Sequence, residues 1–134
     1  MDEDSLSHDI IGAAIEVHKQ LGPGLLEAAY QQCLAHEFAQ RRIPFEMEKA
    51  VPVQYKGVGL NCGFRLDFLV ADLVVVELKS VEELSAVHEA QVITYLKLTG
   101  CRLGLLLNFN VRRMTEGVKR VVLNLHRNRR DATV

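Results

Sequence analysis

In the segment Leu73-Val74-Val75-Val76-Glu77-Leu78-Lys79-Ser80, an apolar run that reads as a buried central strand ends in two opposite charges two residues apart. Strand alternation puts Glu77 and Lys79 on one face. Burying an ion costs several kcal/mol after relaxation, so the pair needs compensation from each other, from water or from a metal. Taken alone, so short a pattern reads as a structural ion pair at a strand end.

Upstream, Phe64-Arg65-Leu66-Asp67-Phe68-Leu69-Val70 alternates. Phe64, Leu66, Phe68 and Val70 are expected on one face, and Arg65, Asp67 and Leu69 on the other. If the two strands are joined by the three residues Ala71-Asp72-Leu73, Asp67 falls opposite Glu77; a two-residue loop turns the two carboxylates apart. Directly opposed like charges are destabilising. The first register therefore calls for a bridging cation, a shared proton, or Arg65 and Lys79 as counter-charges.

A third acid, Glu27, stands near the start of a helical pattern, with Tyr30 and Leu34 at i+3 and i+7. With Gly24 as N-cap it falls at N3, where a capping carboxylate explains it as well as a ligand does. Further along, His88, Gln91 and Tyr95 form a polar line at i, i+3 and i+7 among Leu84, Ala90, Val92 and Leu96. Such a line faces something polar, although a core tyrosine with a bonded hydroxyl and an ordinary half-exposed histidine explain Tyr95 and His88 singly. His18, within an apolar stripe, reads as a hydrogen-bonded core histidine.

The elements that must bring these residues together are legible. Ile11, Ala14, Ile15, His18 and Leu21 recur at helical spacing and predict a helix from Ser5 to about Gln20, stopped by Gly22-Pro23-Gly24. A second helix is expected from about Leu25 to Arg41. Three strands follow at 45–56, 60–70 and 73–80, with antiparallel pairing expected, then a helix from about Glu82 to Thr99 and strands over 102–109 and 119–125. That order indicates an α/β sandwich whose later helix crosses over between two strands of one sheet.

A length of 134 residues suits one domain and one active centre. At 49% hydrophobic and 25% charged residues, the composition is that of a folded globular chain. Three cysteines without a CxxC pairing support neither a disulfide framework nor a zinc knuckle, so a cytoplasmic location is expected. The N-terminus lacks a basic segment followed by an apolar one, and no apolar run approaches the roughly 20 residues that cross a bilayer, so no membrane partner is expected. Net charge is -1, but Arg112, Arg113, Lys119, Arg120, Arg127, Arg129 and Arg130 collect near the end. A solvated tail is the reading preferred there over a phosphate-binding surface.

Several further stretches join the set: Val17-His18-Lys19-Gln20-Leu21-Gly22, Gly24-Leu25-Leu26-Glu27-Ala28-Ala29-Tyr30, the Asp67 strand, Glu77-Leu78-Lys79, His88-Glu89-Ala90-Gln91 running on to Tyr95-Leu96, and Gly104-Leu105-Leu106-Leu107-Asn108-Phe109. Together these resemble the GxxExxY protein family, a branch of the PD-(D/E)XK nuclease-like superfamily, over roughly residues 6 to 125. The resemblance implies a restriction-endonuclease-like α/β core, a mixed sheet flanked by helices in the order α-α-β-β-β-α-β-β. It implies a single domain over 1–134 with a basic tail at 126–134. Glu27, Asp67 and Glu77 would bind Mg2+ or Mn2+, Lys79 would stand near the attacking water, and Gln91 and Tyr95 look like the QxxxY helix motif of RecB-type nucleases. Leu66 replaces the proline that often precedes the aspartate, a change without chemical consequence because that proline binds no metal.

The expected activity is metal-dependent hydrolysis of phosphodiester bonds, with nucleic acid, DNA foremost, as partner. Without tryptophan or an obvious aromatic platform, phosphate contacts are expected to carry the affinity, and His88, Gln91 and Tyr95 to position the substrate. A homodimer is a simple way for so small a unit to set two sites on a duplex. The alternative is a catalytically inactive nuclease-fold module that binds nucleic acid or a protein partner.

Overall fold

A computed structural model describes residues 2–123. Helix α1 runs over Glu3–Leu21 and α2 over Glu27–Gln40. The N-cap of α1 is Asp2, whose carboxylate accepts the Ser5 N–H at 2.7 Å, so the helix begins two residues before the expected Ser5. Leu6, Ile10, Ala13, Ala14 and Val17 form the buried stripe of α1.

Five strands, β1 (Phe45–Ala50), β4 (Arg65–Val70), β5 (Val74–Lys79), β6 (Leu103–Asn108) and β7 (Val118–Val122), make one sheet in the order β1-β4-β5-β6-β7. Helix α3 (Ala86–Thr99) connects the parallel pair β5 and β6 as the crossover. The other neighbours in the sheet are antiparallel. The sheet is therefore mixed, and all six residues of β6 are buried, as a central strand covered on both faces should be.

Two cores lie on the two faces of the sheet. The α1 and α2 stripes pack on Phe68, Val70, Val74, Val76, Leu78, Leu105 and Leu107. Val92, Tyr95 and Leu96 of α3 pack on Leu66, Leu69, Val75, Leu106 and Val121. Alternation along β5 thus sends Val74, Val76 and Leu78 toward α1 and α2, and Val75 toward α3.

The two long strands expected at 45–56 and 60–70 are each broken. Proline cannot donate to a ladder, and β1 stops before Pro52. The intervening chain folds back as a separate two-stranded arm, β2 (Val53–Tyr55) and β3 (Val58–Leu60), turning at Lys56 (φ 50°) and Gly57 (φ 82°). Two positive-φ residues give the twist a two-residue hairpin loop needs. Phe64 and Leu66 also depart from expectation. Leu66 packs in the α3-side core and Phe64 meets the Tyr95 ring at 6.3 Å, while Phe68 and Val70 face α1 and α2. Strand β4 turns over at Asp67, where its ladder with β1 is interrupted. No described helix is long and apolar enough to cross a membrane, and residues 124–134, including Arg127 to Arg130, lie outside the described chain.

Candidate active site

The β4–β5 partners are Val70 with Val74, Leu69 with Val75 and Phe68 with Val76. Their connection is Ala71-Asp72-Leu73, with Ala71 and Asp72 both at positive φ, and the same register carried one step further sets Asp67 opposite Glu77. At that step side chains replace the ladder. The Asp67 N–H donates to Glu77 Oε1 at 2.9 Å, and the Leu78 N–H donates to Asp67 Oδ2 at 2.8 Å. Each carboxylate is held by the other strand's backbone.

Glu77 is 5% exposed. Burial and then the Asp67 charge push its carboxyl up to about 8. Asp67 is half-buried, and its carboxyl is raised by burial and by the charges of Glu48 and Glu27. Neither Asp67 Oδ1 nor Glu77 Oε2 receives a hydrogen bond among the described residues. No buried side-chain oxygen or nitrogen there is left without a partner, so both free oxygens reach solvent. Hard carboxylate oxygens that reach solvent on an electrostatically frustrated pair are the donor type a divalent cation takes.

Glu27 is the first residue of α2, not its third, because Leu26 is the N-cap, and no side chain caps the helix. The capping explanation for Glu27 therefore lapses. Its charge raises the carboxyls of both Asp67 and Glu77, so it stands on their side of the molecule. Among the described residues, however, no three His, Cys, Asp or Glu side chains are grouped closely enough to hold a metal. The structure sets Asp67 and Glu77 against each other, and Glu27 acts on both through its charge.

The loop that delivers Glu27 is pinned. The Tyr30 hydroxyl donates to the Gly22 carbonyl at 2.6 Å and accepts the Leu25 N–H at 3.1 Å, and its ring stacks on Phe109 at 4.5 Å. Ser80, just past β5, donates to the Leu25 carbonyl at 2.6 Å. The tyrosine of the Gly24–Tyr30 motif thus fixes the entry to α2.

Lys79 closes β5, half-buried, and its charge lowers the carboxyls of Asp67 and Glu77. It joins no ion pair among the described residues, which removes the structural Glu77–Lys79 pair as an explanation of the motif. From α3, the Tyr95 hydroxyl accepts from Gln91 Nε2 at 3.1 Å. Burial and then the Glu77 charge raise that phenol. His88 serves the helix start: its Nδ1 accepts the Ser85 N–H at 3.0 Å while Ser85 Oγ accepts the His88 N–H, a capping box. The remaining ring nitrogen, Nε2, carries the proton of that tautomer. His18 donates from Nε2 to the Val111 carbonyl at 2.7 Å, a satisfied core histidine.

Residues 4–121 match the PD-(D/E)XK nuclease superfamily. The chain belongs to that superfamily. Comparison with curated proteins and with solved structures gave no match. PD-(D/E)XK nucleases generally use divalent metals, and β4 and β5 set Asp67 opposite Glu77, with Lys79 two residues further along β5. Two neighbours were not singled out from the sequence: Gln31, 9% exposed on α2, and Glu48 on β1. Gln31 was detectable as the i+4 neighbour of Glu27. Glu48 had no local signal, being one of several charges in an exposed strand.

Proposed function

We propose that this chain is a divalent-metal-dependent nuclease that hydrolyses phosphodiester bonds of nucleic acid, DNA foremost, through one domain in a reducing cytoplasm. The reading rests on the opposed pair of half-buried Asp67 and buried Glu77, with one free oxygen each, an arrangement that is costly without a cation or a proton. Asp67 and Glu77 would hold Mg2+ or Mn2+, with Glu27 as the third carboxylate. When bound, such an ion polarises the scissile phosphate and lowers the pKa of a water.

The side chains around the pair have distinct tasks. In the absence of a cation, Glu77 retains its proton near neutral pH. Lys79, with no carboxylate partner of its own among the described residues, orients the water or neutralises charge on the phosphate oxygens. Tyr95, accepting from Gln91, keeps its own O–H free to donate toward the pair or a phosphate oxygen. His88 contributes through Nε2 at the start of α3. A second copy of the chain would supply a second site for the other strand of a duplex.

The test is cleavage of single- and double-stranded DNA and RNA by wild type, Asp67→Asn and Glu77→Gln, with Mg2+, with Mn2+ and with chelator. Metal-dependent cleavage should vanish in both folded variants, and undiminished cleavage by both would reject the assignment. The second reading, a module that binds without cutting, is favoured by the finding that no three His, Cys, Asp or Glu side chains among the described residues are grouped to hold a metal. It is the outcome if wild type shifts nucleic acid on a gel and cuts none at millimolar metal.

A further inference from the structure

Partners in β1 and β4 run Phe45 with Val70, Glu46 with Leu69 and Met47 with Phe68, then resume at Lys49 with Leu66. Glu48 and Asp67 are skipped. Asp67 is instead held by side chains at both ends of its peptide unit: its N–H by Glu77 Oε1, and its carbonyl by Gln31 Nε2 at 3.4 Å. The same Gln31 amide donates to Glu48 Oε1 at 3.1 Å. Gln31 lies one helical turn after Glu27 on α2, so one face of that helix carries both the third acid and this amide.

Glu48 sits at φ 54°. A residue with a Cβ rarely adopts that conformation in mid-strand, and glycine would take it without strain. The backbone at Glu48 is therefore bent into a disfavoured shape that delivers a carboxylate to Gln31. A buried amide needs partners, and Gln31 has two, the Glu48 carboxylate and the Asp67 carbonyl.

From this we infer that Gln31 and Glu48 are positioning residues of the site: Glu48 anchors Gln31, and Gln31 holds Asp67 with its carboxylate turned toward Glu77. The metal-binding side of this inference rests on the nuclease reading above. The clamp itself does not.

Glu48→Gly separates the clamp from folding, because it removes the carboxylate while relieving the backbone. Glu48→Gln keeps an acceptor for Gln31 and is the rescue variant. Each full-length protein is measured for thermal unfolding, for hydrogen exchange of the Asp67 and Leu78 amides without metal, and for Mn2+ affinity by calorimetry. The Leu78 amide reports on the Asp67 carboxylate directly. In Glu48→Gly the melting temperature should hold or rise, both amides should exchange at least about tenfold faster, and Mn2+ should bind roughly tenfold more weakly or worse. Glu48→Gln should restore the exchange protection. Unchanged exchange in Glu48→Gly overturns the inference, as does faster exchange with full Mn2+ affinity. If wild type binds no Mn2+, the metal reading fails and the exchange rates still decide the clamp.

Discussion

At Glu77 the ordinary carboxylate value of 4.5 is displaced to about 8 by burial and by Asp67, and Asp67 is displaced in the same direction. The folded protein then holds protons that the unfolded chain has already released. Stability contributed by this pair is full below about 4.5 and is lost as the pH rises toward about 8. The metal-free protein should therefore melt lower at the upper end of that window, by roughly 5 °C or more for a domain of this size. Millimolar Mn2+ should offset the loss at the upper end and do little at the lower, where the proton competes. Scanning calorimetry across the window with and without Mn2+ checks both signs, and a flat profile would mean that neither carboxyl is held above its ordinary value in the folded protein.

The elements act by setting distances between side chains far apart in sequence. Helix α3, which carries Tyr95 and Gln91, packs close on the sheet where β6 offers it Gly104, at which a Cβ would come within 2.5 Å of Val92 Cγ1. Gly104→Val should push α3 off the sheet and cost about 1–3 kcal/mol of stability, read by urea unfolding. It should also weaken cleavage through displacement of Tyr95 without touching a carboxylate. Elsewhere the β2–β3 arm exposes Tyr55, with Lys56 Nζ 5.5 Å above its ring, and Phe64 follows it at 40% exposure. The expectation that affinity rests on phosphate contacts now stands beside two exposed rings, one on the arm and one just before β4. They went unnoticed because the region reads as unbroken strands until Pro52 and the Lys56-Gly57 turn are seen to fold it back.

At the scale of the whole molecule, three described basic residues of the second half of the chain are paired with acids, two of them with Glu3 and Asp4 at its beginning. Arg102 meets Glu3 at 3.3 Å, Arg120 meets Asp4 at 3.1 Å, and Lys119 meets Glu89 at 3.9 Å. Exposed pairs of this kind contribute little stability, but they occupy the cations. Nucleic-acid affinity, measured by anisotropy on cleavage-deficient Asp67→Asn, should fall with salt. The slope against log salt should be unchanged by Lys119→Ala or Arg120→Ala and reduced by about one for Lys79→Ala. A loss of slope in the first two variants would move the phosphate track to the far edge of the sheet.

The sequence by itself determined the helices, the strands of the main sheet, the crossover and the candidates Asp67, Glu77 and Lys79, because periodicity, glycine stops and charge at the end of an apolar strand are local signals. Two elements escaped it where one residue redirects the chain: the arm beyond Pro52, and the turnover of β4 at Asp67. Only the tertiary structure decided that Asp67 and Glu77 oppose each other, that Glu27 opens α2 as its first residue, that His88 is committed to a cap, and that Gln31 and Glu48 reach the site. Each of these depends on register, a helix start or an approach between elements remote in sequence, and such relations are set by packing the whole chain.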